Sequence, residues 1–194
     1  MTRKNRHMSI KLDIVSLFSS DYSASFSGRE VARRMNVSPQ TAIDGLKELE
    51  KEKVLMVKIE GRNDKYALNK ENLKTKVMMQ LMETHQSMLA LEKFILKEVV
   101  SKILPYSKTI IVFGSFARNE EKKDSDIDLI VIDSKDKEKI KKIKEMFPLE
   151  VNIEFVSLAD FSKAFEKKNS LALEIKKDHL IYGDVYNIVN LYCR

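Results

Sequence analysis

The chain has 194 residues, 43% of them hydrophobic, and a net charge of +6, enough material for one large or two small domains with a real core. One cysteine, Cys193, excludes a disulfide framework, and three scattered histidines, His7, His85 and His179, make no zinc pattern. No apolar run approaches the length of a membrane span and no apolar segment follows the basic first residues, so a soluble, cytoplasmic protein is expected.

The charge is uneven. Residues 1–70 carry 14 Lys/Arg against 9 Asp/Glu, whereas residues 71–194 carry 21 against 20. The basic excess of the first part points to a nucleic-acid partner there, the alternative being a lysine-rich chain that simply stays in solution.

In chain order, apolar residues Leu12, Ile14, Val15, Leu17 and Phe18 predict an amphipathic first helix. Ser27-Gly-Arg-Glu30 has the spacing of a capping box and opens a second helix that stops near Asn36. Ser38-Pro39 starts a third, with Ser as cap and Pro in the first turn, and Ala42, Leu46 and Leu49 form its apolar stripe. Two strands, 54–59 and 65–68, then flank a turn at Glu60–Asp64. Helix, short turn, helix and hairpin resemble the winged helix-turn-helix domains of prokaryotic regulators. The resemblance implies that Gln40, Thr41 and Lys47 face duplex DNA and that Arg62 and Lys65 lie on the wing near phosphates. Asp44 falls on the same outward face and would repel phosphate, and such domains also serve as docking modules.

Residues 71–104 contain no Pro or Gly. Val77, Leu81, Thr84, Met88, Leu91 and Ile95 alternate spacings of four and three, a heptad-like seam. Either one helix of some 30 residues, about 45 Å long, pairs with a second copy as a homodimer, or two helices pack on their own domains.

The chemistry concentrates at residues 114–128, GSFARNEEKKDSDID. The apolar, β-branched run Lys108–Phe113 predicts a buried strand that ends at Gly114 and Ser115. A helical turn through Phe116, Ala117 and Arg118 and a charged loop lead to a second strand from Asp126 to Val131. Asp126 and Asp128 are two apart, so both carboxylates leave the same face, a hard-oxygen site suited to Mg²⁺. Gly114 allows close backbone approach, and free N–H groups at the following turn can hold phosphate.

Gly-Ser, ten residues, then Asp-x-Asp, with "FGSFAR" before and "SDIDLIVI" after, resembles the nucleotidyltransferase superfamily that includes DNA polymerase beta, aminoglycoside nucleotidyltransferases and the minimal nucleotidyltransferases. The resemblance covers roughly residues 105–185. It implies a third carboxylate on a later strand. On Leu149–Val156, Asn152, Glu154 and Val156 share a face, and Glu154 is the candidate, although the family usually has Asp. Asn119 stands where the family usually has Gly, and Asn tolerates left-handed backbone. After the second strand, a lysine-rich helix at 135–146 is read as a solvated face, with attraction of a polyanion as the alternative. Helices at 160–168 and 171–177, a short strand or extended turn at 179–183 and a last helix follow.

The expected architecture is α+β: a winged helix-turn-helix domain (1–70), a helical linker (71–104) and a small mixed-sheet nucleotidyltransferase domain with flanking helices (105–194). The resemblance implies an enzyme in which Gly114, Ser115 and Arg118 bind ATP or another nucleoside triphosphate. Asp126, Asp128 and Glu154 would hold Mg²⁺ in a two-ion site, and a nucleoside monophosphate would pass to a hydroxyl acceptor. Minimal nucleotidyltransferases of this kind act as antitoxins that adenylylate a partner protein, which makes a protein hydroxyl the leading acceptor, with an RNA end or a small molecule behind it. The rival reading is a DNA-binding regulator whose second domain senses nucleotide or is inert.

Overall fold

The computed structural model describes residues 3–60, 63–167 and 169–194. The described residues form ten α-helices and two sheets, and the chain divides into two compact units, 1–82 with 192–194, and 83–191.

In the first unit, α1 (Arg3–Ser16), α2 (Gly28–Met35) and α3 (Pro39–Lys51) pack on one another around Ile14, Val15, Val31, Leu46 and Leu49, all fully buried. The local signals place the helix ends. Ser27 accepts from the Glu30 backbone N–H while the Glu30 carboxylate accepts from that of Ser27, a reciprocal cap of about 1 kcal/mol. Asn36 closes α2 in a left-handed conformation (φ 52°), and Ser38 caps α3. β1 (Ser25–Ser27), β2 (Leu55–Glu60) and β3 (Asn63–Leu68) form an antiparallel sheet with β3 in the middle.

A cluster of four ions, Lys11, Glu48, Glu52 and Lys74, fastens this unit, with Lys11 to Glu48 at 2.9 Å. Glu52, just past α3, accepts from Lys11 of α1 at 2.7 Å and from Lys74 at 2.6 Å, the latter in α4 (Leu73–Ala90). The hydrogen bond from Lys11, then that from Lys74, hold the Glu52 carboxyl below its ordinary 4.5, and the Ser27 cap does the same for Glu30. Depressed carboxyls stabilise above the ordinary value and lose that contribution as pH falls through their folded values. Acid titration of the melting temperature is therefore expected to show a loss beginning below pH 4.5, reduced in Glu52→Gln. An identical acid profile in that variant would remove Glu52 from the account.

Residues 71–104 are two helices, not one. α4 ends at Ala90, a turn covers Leu91–Lys93, and α5 (Phe94–Ile103) follows. The break has no Pro or Gly to announce it. Its benefit is tertiary: α5 delivers Leu96, Val99, Val100 and Ile103 to the core of the second unit.

That unit is built on a four-stranded sheet, order β6-β5-β4-β7: β4 (Thr109–Phe113), β5 (Ile127–Ile132), β6 (Val151–Val156) and β7 (Leu180–Gly183). β5 and β6 are parallel, joined through α7 (Lys137–Lys144), and the other pairings are antiparallel. One face carries Ile110, Val112, Ile127, Leu129, Val131, Val151 and Tyr182 into a core shared with α5 and with Ile140 and Ile143 of α7. The lysines of α7 face outward. The opposite face carries Asp128, Ile130, Asn152, Glu154 and Val156.

Candidate active site

The site is assembled where β4 hands over to β5. β4 ends at Gly114, whose φ of 71° and ψ of −148° are open to glycine alone. A Cβ there would stand 2.5 Å from Oδ2 of Asp128, so the missing side chain is what lets that carboxylate lie against the turn. α6 (Ser115–Arg118) follows, and Asn119 closes it in the left-handed region at φ 58°, the conformation a glycine would take there.

The loop back to β5 is held at two points. Lys93 donates to Glu121 at 2.7 Å and to the Phe116 carbonyl at 3.4 Å, with its ammonium over the Phe116 ring. Burial works to raise the Glu121 carboxyl, but the Lys93 hydrogen bond and charge outweigh it and leave the group below its usual range. Nearer β5, the Ser125 hydroxyl accepts from the Lys122 N–H at 2.8 Å and the Ser125 N–H returns to the Lys122 carbonyl at 3.0 Å. Ile127 N–H then bonds the Glu150 carbonyl, which pins the start of β5 against β6.

Asp126 stands exposed immediately before β5, and Asp128 is half-buried on it. Register puts Asp128 opposite Phe113 of β4 on one side and Asn152 of β6 on the other. The Asn152 amide donates to Oδ1 of Asp128 at 3.1 Å. Asp128 is thus fixed from both flanks, one oxygen by an amide and the other against Gly114.

Glu154, the candidate third carboxylate, lies exposed on β6. It pairs with Ile130, one step further along the same face, roughly 6.6 Å along the strand from Asn152. Asn152 is the residue in register with Asp128. Among the described residues no group of three or more His, Cys, Asp or Glu is arranged to hold a metal ion. Two carboxylates with an open glycine turn do suit one Mg²⁺ that arrives with a triphosphate, since Mg²⁺ is commonly held by one or two carboxylates plus substrate phosphates.

Arg118 is engaged: its Nε donates to Glu120 at 2.9 Å, and that bond, with the more distant charges of Glu174 and Asp178, raises its already high pKa. The residues expected to meet DNA lie in the first unit. Gln40 and Lys47 are exposed on α3, and the Gln40 amide donates to Asp44 at 2.7 Å. Thr41 shares a hydroxyl hydrogen bond with Ser38. Lys65 sits within the middle strand, paired with Lys58 and Ser27, and Arg62 lies outside the described residues.

The strand–turn–strand frame thus brings together a glycine turn packed on one carboxylate and a second carboxylate two residues earlier. The nucleotidyltransferase domain family model matches residues 93–189, half of the chain. The chain belongs to that family and is a transferase enzyme. No curated protein and no solved structure matches it. Among the described residues, no helix is long and apolar enough to cross a membrane.

Sequence reasoning named Gly114, Ser115, Arg118, Asp126 and Asp128 in this neighbourhood. It did not name Lys93 and Ser125, which shape the loop. The serine had a local signal, a hydroxyl three residues after a loop N–H. Lys93, 28 residues from Glu121, had none.

Proposed function

We propose that the chain transfers a nucleoside monophosphate, AMP from ATP in the leading reading, to a hydroxyl acceptor in a Mg²⁺-dependent reaction. The observation that carries this is the packing of Gly114 on Asp128 with Asp126 alongside. Mg²⁺, when bound, would neutralise phosphate charge and favour attack at the α-phosphorus. The N–H groups of the turn at Gly114 and Ser115 would receive the phosphates, and Asp126 and Asp128 would hold the ion. Arg118 would exchange Glu120 for phosphate oxygens. A protein acceptor, as in antitoxin-type adenylyltransferases, remains the leading choice. Incubation with α-labelled ATP, Mg²⁺ and candidate acceptors tests this: covalent label is expected, and none with any acceptor would sink the transfer reading.

The three helices and the β2–β3 hairpin of the first unit support reading it as a winged helix-turn-helix module that binds duplex DNA through Gln40, Thr41, Lys47, Arg62 and Lys65. Binding is expected to fall steeply with salt, and loss of Arg62 and Lys65 together should weaken it without changing sequence preference. A gel-shift series without binding at low salt would leave a docking module instead. Val77, Leu81 and Met88, each about half exposed on α4, are the residues that would meet a second copy in a homodimer.

One observation favours the rival reading of a DNA-binding regulator with a nucleotide-sensing domain: Asn152, not a carboxylate, adjoins Asp128. Nucleotide binding without label transfer would select it.

A further inference from the structure

Lys93 stands at the break between α4 and α5 in extended backbone (φ −73°, ψ 108°), and its side chain makes no cap bond to α5. Its ammonium reaches the segment between β4 and β5 at three points. It donates to the Glu121 carboxylate at 2.7 Å and to the Phe116 carbonyl at 3.4 Å, and it stands 5.7 Å from the centre of the Phe116 ring. Both partners of the ion pair are 22% exposed, so salt screens it only in part.

What Lys93 grips has little hold of its own. α6 is one turn, and a helix that short does not persist without tertiary contacts. The carbonyls of its last turn have no helical N–H to accept, and Lys93 serves that of Phe116. Residues 119–126, which follow, contain neither helix nor strand. An ion pair at this depth returns little net stability once its desolvation is counted. Its effect is geometric: it ties the single turn and the loop to the head of α5, whose Leu96, Val99 and Val100 are fixed in the core.

Two adjacent glutamates have separate partners. Glu120 is paired with Arg118 at an exposed position, whereas Glu121 is turned to Lys93. Arg118 is the cation that, on the reading above, leaves Glu120 for phosphate oxygens. When that exchange breaks the one ion pair, the other still fastens the segment.

We infer that Lys93 is a positioning residue for the nucleotide site: through Glu121 and Phe116 it keeps Ser115 and Arg118 in place while Arg118 changes partner. This rests on the nucleotidyltransfer reading above. Lys93 itself contacts no substrate. Without its grip the turn and the loop are ordered only when the nucleotide arrives, and that ordering is subtracted from affinity.

The test uses the full chain, with Mg²⁺ and α,β-methylene-ATP in calorimetry beside a circular-dichroism melt, so that no acceptor is needed. Lys93→Met is expected to weaken nucleotide binding about tenfold, the lower end of what partners outside a ligand set cost. Glu121→Gln should match it, and the double variant should be little worse than either, since all three remove the same pair. Lys93→Arg, which keeps the charge beside the Phe116 ring, should restore most of the affinity. Ile143→Ala, a truncation in the same core on α7, should lower the melting temperature at least as far as Lys93→Met and leave nucleotide affinity unchanged. Wild-type affinity in Lys93→Met, a Lys93→Arg variant as weak as Lys93→Met, or an equal loss in Ile143→Ala would each overturn the assignment. A wild-type chain that binds no Mg²⁺-nucleotide would overturn both this and the reading beneath it.

Discussion

Replacing Asp126 and Asp128 together by asparagine is expected to abolish Mg²⁺-dependent ATP binding and leave the fold intact. The fold should survive because neither carboxylate carries the core. Asp126 is exposed, and an amide oxygen at residue 128 can still accept from Asn152 at the geometry now seen, 3.1 Å. Binding should not survive, because both formal charges offered to the ion disappear. The loss should exceed the roughly 10–100-fold that partners outside the ligand set typically cost. Calorimetry of Mg²⁺-ATP, beside a circular-dichroism melt, measures both. Unchanged affinity in a folded double variant would mean that the ion is held elsewhere.

Gly114→Ala should separate the turn from the scaffold. Its backbone conformation costs a non-glycine residue about 1–3 kcal/mol, which for a chain of this size lowers the melting temperature by several degrees. The second effect is local and larger in function. The new methyl would meet Oδ2 of Asp128 at 2.5 Å, so the carboxylate must swing away and leave Asn152. Nucleotide affinity should therefore drop by more than the stability loss explains. A variant that melts lower yet binds Mg²⁺-ATP as before would show that Asp128 does not need this turn.

Elements of both units were legible where their cause is local. Ser27–Glu30, Ser38-Pro39 and the apolar run of 127–132 are short-range signals, and each marks an element the structure contains. So was the left-handed Asn119, a residue type that tolerates the conformation in which it is found. What was not legible is set by partners distant in the chain. Asn152 and Glu154 share a face, so alternation cannot choose between them. Only the pairing of β5 with β6, started by Ile127 on Glu150, decides which one meets Asp128. The break at Leu91–Lys93 likewise answers to the core that α5 enters, not to any helix-breaking residue. The three-residue β1 is too short to leave a pattern and exists because β3 lies beside it.

On the proposed reading, the pairing of Arg118 with Glu120 gives the nucleotide site a resident counter-ion. A nucleotide reaching that guanidinium would not fill a bare positive centre but trade places with a carboxylate already there. Such a trade offers nothing to a single-charged anion, which brings no more charge than the one it displaces, and much to a triphosphate. Charge density would then be the entry criterion. The freed glutamate would stay tethered two residues away, ready to reclaim the arginine once the highly charged tail has gone.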